Sequence, residues 1–291
     1  MRYRTQLLIM LAPFLVGLTA LVIVPAVGSL TVAFLDYSPL EPFRFDWVGL
    51  EKFIQIKNDP LFWTALGNSL LYTVVSVPLR MVGILGLALF LEKRHKGIGF
   101  YRSSAYLPTI IPDVAYSLIW LWLVNPTFGP INELLRTLHL PTQSWLIDTG
   151  GARGIVIAMG VLQIGEGIVI MLAALRDISP DLYDVARMDG AGWWMRLRTL
   201  VLPLIAPTFV LLLFRTTIVS LQDNFAPALI LTEGGPHYAT YFLPYKIYVD
   251  TFQNFRFGYG SAMIWVVYAA SLLIVLLQHI ATRRWSNAAY V

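Results

Sequence analysis

The sequence predicts an all-α membrane protein: a bundle of six transmembrane helices, N- and C-termini cytoplasmic, with a short cytoplasmic helix between helices 4 and 5. Three observations carry that expectation. Of the 291 residues, 57% are hydrophobic and only 13% charged, with a mean hydropathy of +0.66. A soluble domain carries about 25% charged residues, so charge is too scarce here to cover a soluble surface. The apolar residues gather into six long runs, and the basic residues fall unevenly between them.

A hydrocarbon core of ~30 Å takes ~20 apolar residues of helix. Runs at 7–33, 66–91, 104–124, 154–175, 201–222 and 260–281 meet that requirement. None alternates with period two as barrel strands would, so each must satisfy its backbone polar groups as helix. With the N-terminus inside, the inside segments hold Arg2, Arg4, Lys93, Arg94, Lys96, Arg102, Arg176, Arg187, Arg196, Arg198, Arg283 and Arg284. The outside segments hold Arg44, Lys52, Lys57, Arg136, Arg153, Lys246 and Arg256. That asymmetry sets both termini in the cytoplasm. Trp47, Phe53, Phe62 and Trp63 lead into the second helix and read as interfacial. The first run, Leu7 to Phe34, is too long for a signal-peptide core and lacks a small-residue cleavage site. The chain reads as a single membrane domain, 1–291, without a soluble domain, linker or clean repeat.

Several function classes drop out. There is no cysteine, which removes disulfides, thiolate catalysis and cysteine-ligated metals. His95, His139, His237 and His279 are scattered without ligand spacing, so no metal site is expected. The net charge of +4 is not gathered into a basic groove with interleaved aromatics, and no nucleic-acid partner is expected. None of the five lysines follows a glycine, so the chain has no Walker A lysine and binds no nucleotide of its own.

Ionisable residues at membrane depth cost a few kcal/mol unless they face a partner or water. Arg80, Asp113, Glu166 and Arg215 are such residues. Gln163 and Glu166 fall in one predicted helix, and their three-residue spacing sets both on one face. Gln222, Asp223, Asn224 and Phe225 form a polar cluster with an adjoining aromatic where the fifth run ends. Two readings stay open and can coexist. One is a polar pocket that hydrogen-bonds hydroxyls and stacks an apolar sugar face on Phe225; the other is a Glu166–Arg215 pair joining two helices.

The segment between the fourth and fifth runs, 176–200, carries the densest local signals. Ser179 suits an N-cap, Pro180 the first helical position, and Asp181 the positive end of the helix dipole. Leu182, Val185, Ala186 and Asp189 follow at helical spacing on one face, and Gly190 supplies a left-handed stop. Trp193, Trp194 and Leu197 sit on a second short helix, and Pro203 opens the next span. This helix–glycine–helix suits either a docking groove on another protein or the membrane interface.

The segment resembles the EAA loop of ABC-importer permeases, whose pattern runs E-A-A-x-x-D-G-A and on to I-x-L-P. Here D-V-A-R-M-D-G-A runs from Asp184 to Ala191, with Leu197, Leu200, Leu202 and Pro203 at the later positions. Asp184 replaces the glutamate with a shorter reach, and Val185 replaces the first alanine. Stretches beginning at Trp47, Tyr106 and Leu231 resemble the carbohydrate branch, the first permease of maltose- or lactose-type importers. The resemblance implies a permease that takes a mono- or oligosaccharide from an extracytoplasmic solute-binding protein by alternating access. It implies an ATPase-coupling role for Leu182, Asp184, Val185, Ala186, Asp189, Gly190, Ala191, Leu197 and Pro203. It sets Gln163, Glu166, Asp223 and Asn224 where sugar contacts are expected, and the polar-cluster reading adds Gln222 and Phe225 as candidate substrate-binding residues. The implied partners are a second permease subunit, two ABC ATPase subunits holding ATP and Mg, and the bilayer of a prokaryotic-type inner membrane; this chain itself holds no cofactor. Glycerol 3-phosphate or another polar solute is the alternative substrate. A membrane-embedded transferase would need a nucleophile, paired acids or a metal cluster, and a channel or secondary transporter would need no docking loop.

Overall fold

The computed structural model describes residues 2–41, 43–92 and 96–287, with the side chains of 2–5 and 283–287 excepted. Lys93 and Arg94, and the side chains of Arg2, Arg4, Arg283 and Arg284, on which the orientation argument partly rests, lie outside what is described.

The first helical stretch runs through α1 (Arg2–Leu18), a π turn (Thr19–Ile23) and α2 (Val24–Val32). A two-residue antiparallel pair, β1 (Leu35–Asp36) with β2 (Asp46–Trp47), and α3 (Glu51–Lys57) precede the long α4 (Pro60–Glu92). Then come α5 (Ile98–Ile110), α6 (Asp113–Leu123), α7 (Pro130–Thr137), α8 (Thr149–Leu162), α9 (Gly165–Arg176) and α10 (Pro180–Met188). The chain continues through α11 (Trp193–Arg196), α12 (Leu202–Gln222), α13 (Phe225–Pro227), α14 (Leu243–Tyr248) and α15 (Phe257–Asn287).

Among the described residues, five stretches are long and apolar enough to cross a membrane: Gln6–Val32, Pro60–Glu92, Thr149–Arg176, Trp193–Thr232 and Phe257–Thr282. A sixth forms only if α5 and α6, bent by 102°, count as one broken span. Each predicted run falls on one of these, with three corrections. The run at 104–124 is two helices rather than one, because Pro112 has no N–H to donate and forces Ile111 into an extended conformation (φ −71°, ψ 127°). The run at 154–175 breaks at Gln163 (φ −87°, ψ 54°), so Gln163 and Glu166 do not share a helix. The run at 201–222 belongs to a longer stretch, Trp193–Thr232, so Pro203 lies inside it rather than at its start. A π turn over Leu197–Val201 widens the helix before Pro203, where a regular turn would bring the ring against an earlier carbonyl.

The chain divides into two compact units, Met1–Phe62 with Lys246–Ala270, and Trp63–Tyr245 with Ser271–Val291. In the first, Phe34 stacks on Trp47 at 5.6 Å beside the strand pair, and Lys52 bonds Asp36 at 2.5 Å. Lys246 is buried between Asp59 (2.7 Å) and Asp250 (3.0 Å), and Tyr259 donates to Asp59 at 2.7 Å. Burial works against the Asp59 carboxylate, but the hydrogen bonds from Lys246 and Tyr259 outweigh it and hold its pKa below the ordinary value.

In the second unit, α4, α9 and the helical stretch leading into α12 share a core built on Met81, Ile84, Ile168, Met171, Leu175, Val201 and Ile205. Glycines let these helices approach closely: a Cβ at Gly83 would stand 2.9 Å from Ile164, and one at Gly167 would collide with Ile84. A second cluster joins Tyr116 and Trp120 of α6 to Ile155 and Met159 of α8. Arg153 is tied to Asn68 (2.9 Å) and to the carbonyl of Ala239 (3.1 Å).

Candidate functional site

Among the described residues of the second unit, apolar helix is interrupted at Ile111–Pro112, at Gln163–Ile164 and at Asp223–Asn224. Irregular backbone at membrane depth needs partners other than lipid. The first two interruptions supply them to each other. The amide of Gly165 donates to Thr109 Oγ1 at 3.0 Å, and Gln163 Nε2 donates to Asp113 Oδ1 at 3.4 Å. Asp113 and Glu166 each stand in the first turn of a half-helix, where the dipole favours negative charge.

Asp113, Gln163, Glu166 and Asp223 line one open cleft of about 690 Å³, mouth included, with Arg80, Arg215 and Thr216 on its other walls. Three carboxylates face two guanidiniums there. Arg215 and Glu166 form an ion pair, each side chain about half exposed, so the pair both joins α9 to α12 and forms part of the wall. Arg80, only 7% exposed, has no ion pair among the described residues. Its Nε donates to the carbonyl of Gly160 (2.7 Å), Nη1 to Ser220 Oγ (3.2 Å) and Nη2 to the Tyr72 hydroxyl (3.1 Å). A cation thus satisfies a carbonyl in the last turn of α8 and ties α8 to α12, with neutral acceptors fixing its geometry.

Of the residues singled out in the sequence, Arg80, Asp113, Gln163, Glu166, Arg215 and Asp223 come together in the cleft. Asn224 is buried and turned back onto the last turn of α12, donating to the Ser220 carbonyl at 2.8 Å. Gln222 is exposed and Phe225 half-buried, and neither lines the cleft. Thr109, Thr216 and the Tyr72–Gly160–Ser220 frame around Arg80 escaped sequence reasoning. Each is an ordinary residue on an apolar helix, and only the tertiary fold gives it a partner.

The 176–200 segment takes the local form its sequence dictates. Ser179 Oγ accepts the Asp181 amide at 3.3 Å and Pro180 opens α10. Gly190 (φ +75°) closes it in a Schellman pattern: Gly190 N–H to Arg187 O at 3.0 Å and Ala191 N–H to Ala186 O at 2.9 Å. Leu182 and Val185 are 43% and 50% exposed, Met188 is 80% exposed, and Trp193 and Trp194 are also exposed. Asp184 and Asp189 are exposed; Asp184 pairs with Arg187 at 3.0 Å. Ala186, Ala191 and Pro203 are half-buried, while Leu197 is packed into the α4–α9–α12 core. Met188 was not singled out in the sequence, although it lies three residues beyond Val185 on the same stripe. Burial pushes the Tyr183 hydroxyl pKa up, and Glu92 adds to the shift.

A polar cleft framed by broken membrane helices, with an exposed apolar stripe on α10 outside them, is an arrangement suited to a membrane transport component. The chain belongs to the family of binding-protein-dependent transport system inner membrane components, whose sequence profile matches residues 98–287. It is 31% identical to a probable ABC transporter permease of Pyrococcus horikoshii over 93% of each chain. It is 29% identical to the sulfoquinovosyl glycerol transport system permease SmoG of Agrobacterium fabrum, over 96% of this chain and 92% of that one. The fold matches a chain of a bacterial alginate ABC transporter crystallised with its alginate pentasaccharide-bound periplasmic protein, with a TM-score of 0.84 at 24% identity over 98% and 96% of the two chains. The chain is therefore an inner-membrane permease subunit of an ABC transporter and not an enzyme.

Proposed function

We propose that this permease carries a neutral sugar, a mono- or oligosaccharide, released by an extracytoplasmic solute-binding protein, through the cleft bounded by Gln163, Glu166 and Asp223. The observation that carries the reading is the meeting of broken helices around that cleft. Half-helix ends and the amide, carboxylate and guanidinium groups that line the cleft offer hydroxyls several donors and acceptors. Three carboxylates against two guanidiniums disfavour a phosphate, which argues for a neutral sugar over glycerol 3-phosphate. The sulfoquinovosyl glycerol permease among the relatives supports a glycoside as substrate, but that glycoside is a sulfonate. Glycerol 3-phosphate permeases also stand among the relatives, so the preference for a neutral sugar rests on the charge balance of the cleft alone.

The bundle is six spans with α5 and α6 as one broken span, and both termini are cytoplasmic. Residues 176–200 form an EAA-type coupling loop gripped by one of two ABC ATPase subunits, which bind ATP and Mg. A second permease subunit completes the path. Closure of the ATPases moves the loops, the bundles rotate, the cleft opens outward to receive the sugar, and hydrolysis resets it. Support comes from the Leu182–Val185–Met188 stripe, whose apolar side chains are 43%, 50% and 80% exposed.

The test is uptake by proteoliposomes holding both permeases, the ATPases and a sugar-loaded binding protein. Gln163→Ala should lower uptake at least tenfold while ATP hydrolysis without sugar persists. Unchanged uptake would remove the cleft from the path, and stimulation by glycerol 3-phosphate but by no sugar would overturn the substrate.

A further inference from the structure

A second concavity lies in the same unit, apart from the transport cleft. Between α5 and α9 runs an apolar groove of about 620 Å³, mouth included, walled by Ala105, Tyr106, Val169, Leu172 and Ala173. Arg102 and Arg176 also line it. The same two arginines line a polar recess of about 1040 Å³ that continues to Glu92, Pro180 and Tyr183. An oily slot and a polar recess therefore share one pair of guanidiniums.

The two arginines are held differently. Nε and Nη2 of Arg102 both donate to the Leu91 carbonyl, at 3.2 and 2.6 Å, which anchors the group and leaves Nη1 without a hydrogen bond among the described residues. Arg176, exposed in the last turn of α9, has no hydrogen bond or ion pair among the described residues. Dipole complementarity and snorkelling account for an arginine at such a helix end. Neither accounts for two of them converging on an apolar slot that leads away from the polar recess.

We propose that this groove binds an anionic phospholipid, with the phosphate on Arg102 and Arg176 and an acyl chain laid between Tyr106 and Val169. Guanidinium forks match phosphate oxygens, and basic pockets between membrane helices select anionic headgroups. The groove wall carries no carboxylate, and the recess sets the single carboxylate of Glu92 against two guanidiniums. That balance favours one anion over a zwitterion. A helix from another subunit could fill the slot, but it would leave both guanidiniums uncompensated unless it carried its own acids. Gly165, whose amide bonds Thr109 at the helix break, lines the groove as well. The lipid would therefore rest against the wall of the transport cleft, and transport would depend on anionic lipid.

The experiment is native mass spectrometry of the purified transporter with added phosphatidylglycerol or phosphatidylcholine. Phosphatidylglycerol should be retained several-fold better. Arg102→Gln with Arg176→Gln should erase the preference, and Ala173→Trp, which fills the slot, should lower retention of the lipid itself. Arg176→Gln alone, on an exposed side chain, carries the test if the tryptophan variant does not fold. Equal retention of both lipids, full retention in the variants, or displacement by inorganic phosphate would each overturn the site. The chain has no cysteine, so Val169→Cys can carry a single photo-crosslinker. Capture of lipid supports the proposal; capture of the second permease subunit in its place refutes it.

Discussion

The cleft and the α10 segment invert one another. In the cleft, polar side chains sit among apolar helices and are tied down: Arg80 by three acceptors, Glu166 by Arg215, Gln163 by Asp113. Around α10, apolar side chains stand half or more in the open, Met188 most of all. The difference separates two kinds of job. A polar group inside the membrane must be satisfied within the fold, so the cleft is a framework whose parts hold each other. An apolar group outside the core is more stable when something else covers it, which is why α10 suits the docking role proposed for it. Substitutions of the buried frame of the first region, Arg80 above all, should damage the fold, and those in the second should act mainly on assembly and coupling.

The largest expected effect is at Arg80. Arg80→Leu removes the donor from a buried carbonyl and two hydroxyls at once, and should destabilise the purified subunit by about 2–3 kcal/mol in reversible denaturant unfolding. Gly160→Ala should act in the same direction, since its Cβ would drive into the Tyr72 hydroxyl and the Arg80 guanidinium. A loss near zero for both would break the contrast, because the framework would then not be holding the cleft.

At Gly190 the two regions should separate. Nothing lies within 4 Å of an added Cβ there, so Gly190→Val meets no wall, but its φ of +75° strains any branched residue. The local cost is about 1–2 kcal/mol. Sugar uptake should fall more than tenfold while ATP hydrolysis by the ATPases continues and the bundle stays folded. Normal uptake would show that the Schellman turn does not set the loop for docking.

Met188→Ser sharpens the comparison further. The side chain is 80% exposed, so unfolding stability should stay within about 0.5 kcal/mol of the parent. Co-purification of the ATPase should drop roughly tenfold, equivalent to about 1.4 kcal/mol of interface. A change in stability with intact assembly would mean that Met188 faces its own bundle.

How much of this could be read in the sequence follows the same division. The α10 segment was legible almost to the residue, because a serine cap, a proline at the first turn and a glycine stop act over four or five residues of chain. The positions of the membrane helices were legible from apolar run length. The breaks were not. Pro78 and Pro207 lie inside helices that continue, while Pro112 ends one, and Gln163 interrupts a helix with no proline at all. What decides is whether a neighbour can satisfy the freed groups, as Thr109 does for Gly165, and that is a tertiary fact. For the same reason the cost argument found Gln163, Glu166 and Asp223 but assigned the first two to one helix face, and it had no means of seeing that Arg80 would be held by a tyrosine, a serine and a carbonyl.

The smallest expected effect on stability is at Asp184, where the segment departs from the glutamate of the loop it resembles. Its pair with Arg187 spans three residues on one helix face with both side chains 65% exposed, and such pairs contribute a few tenths of a kcal/mol. Asp184→Ala should therefore leave unfolding unchanged within error. It also releases Arg187, changing the charge presented to an ATPase groove in two ways at once, so coupled uptake should fall a few-fold. Asp184→Glu, which restores the charge and lengthens the reach, should recover it. If the alanine variant transports normally, the carboxylate serves only its own helix, and the docking surface narrows to the apolar stripe of Leu182, Val185 and Met188. Loss of stability in place of loss of coupling would erase the line between framework and surface, since it would make an exposed pair on α10 as structural as the buried arginine of the cleft.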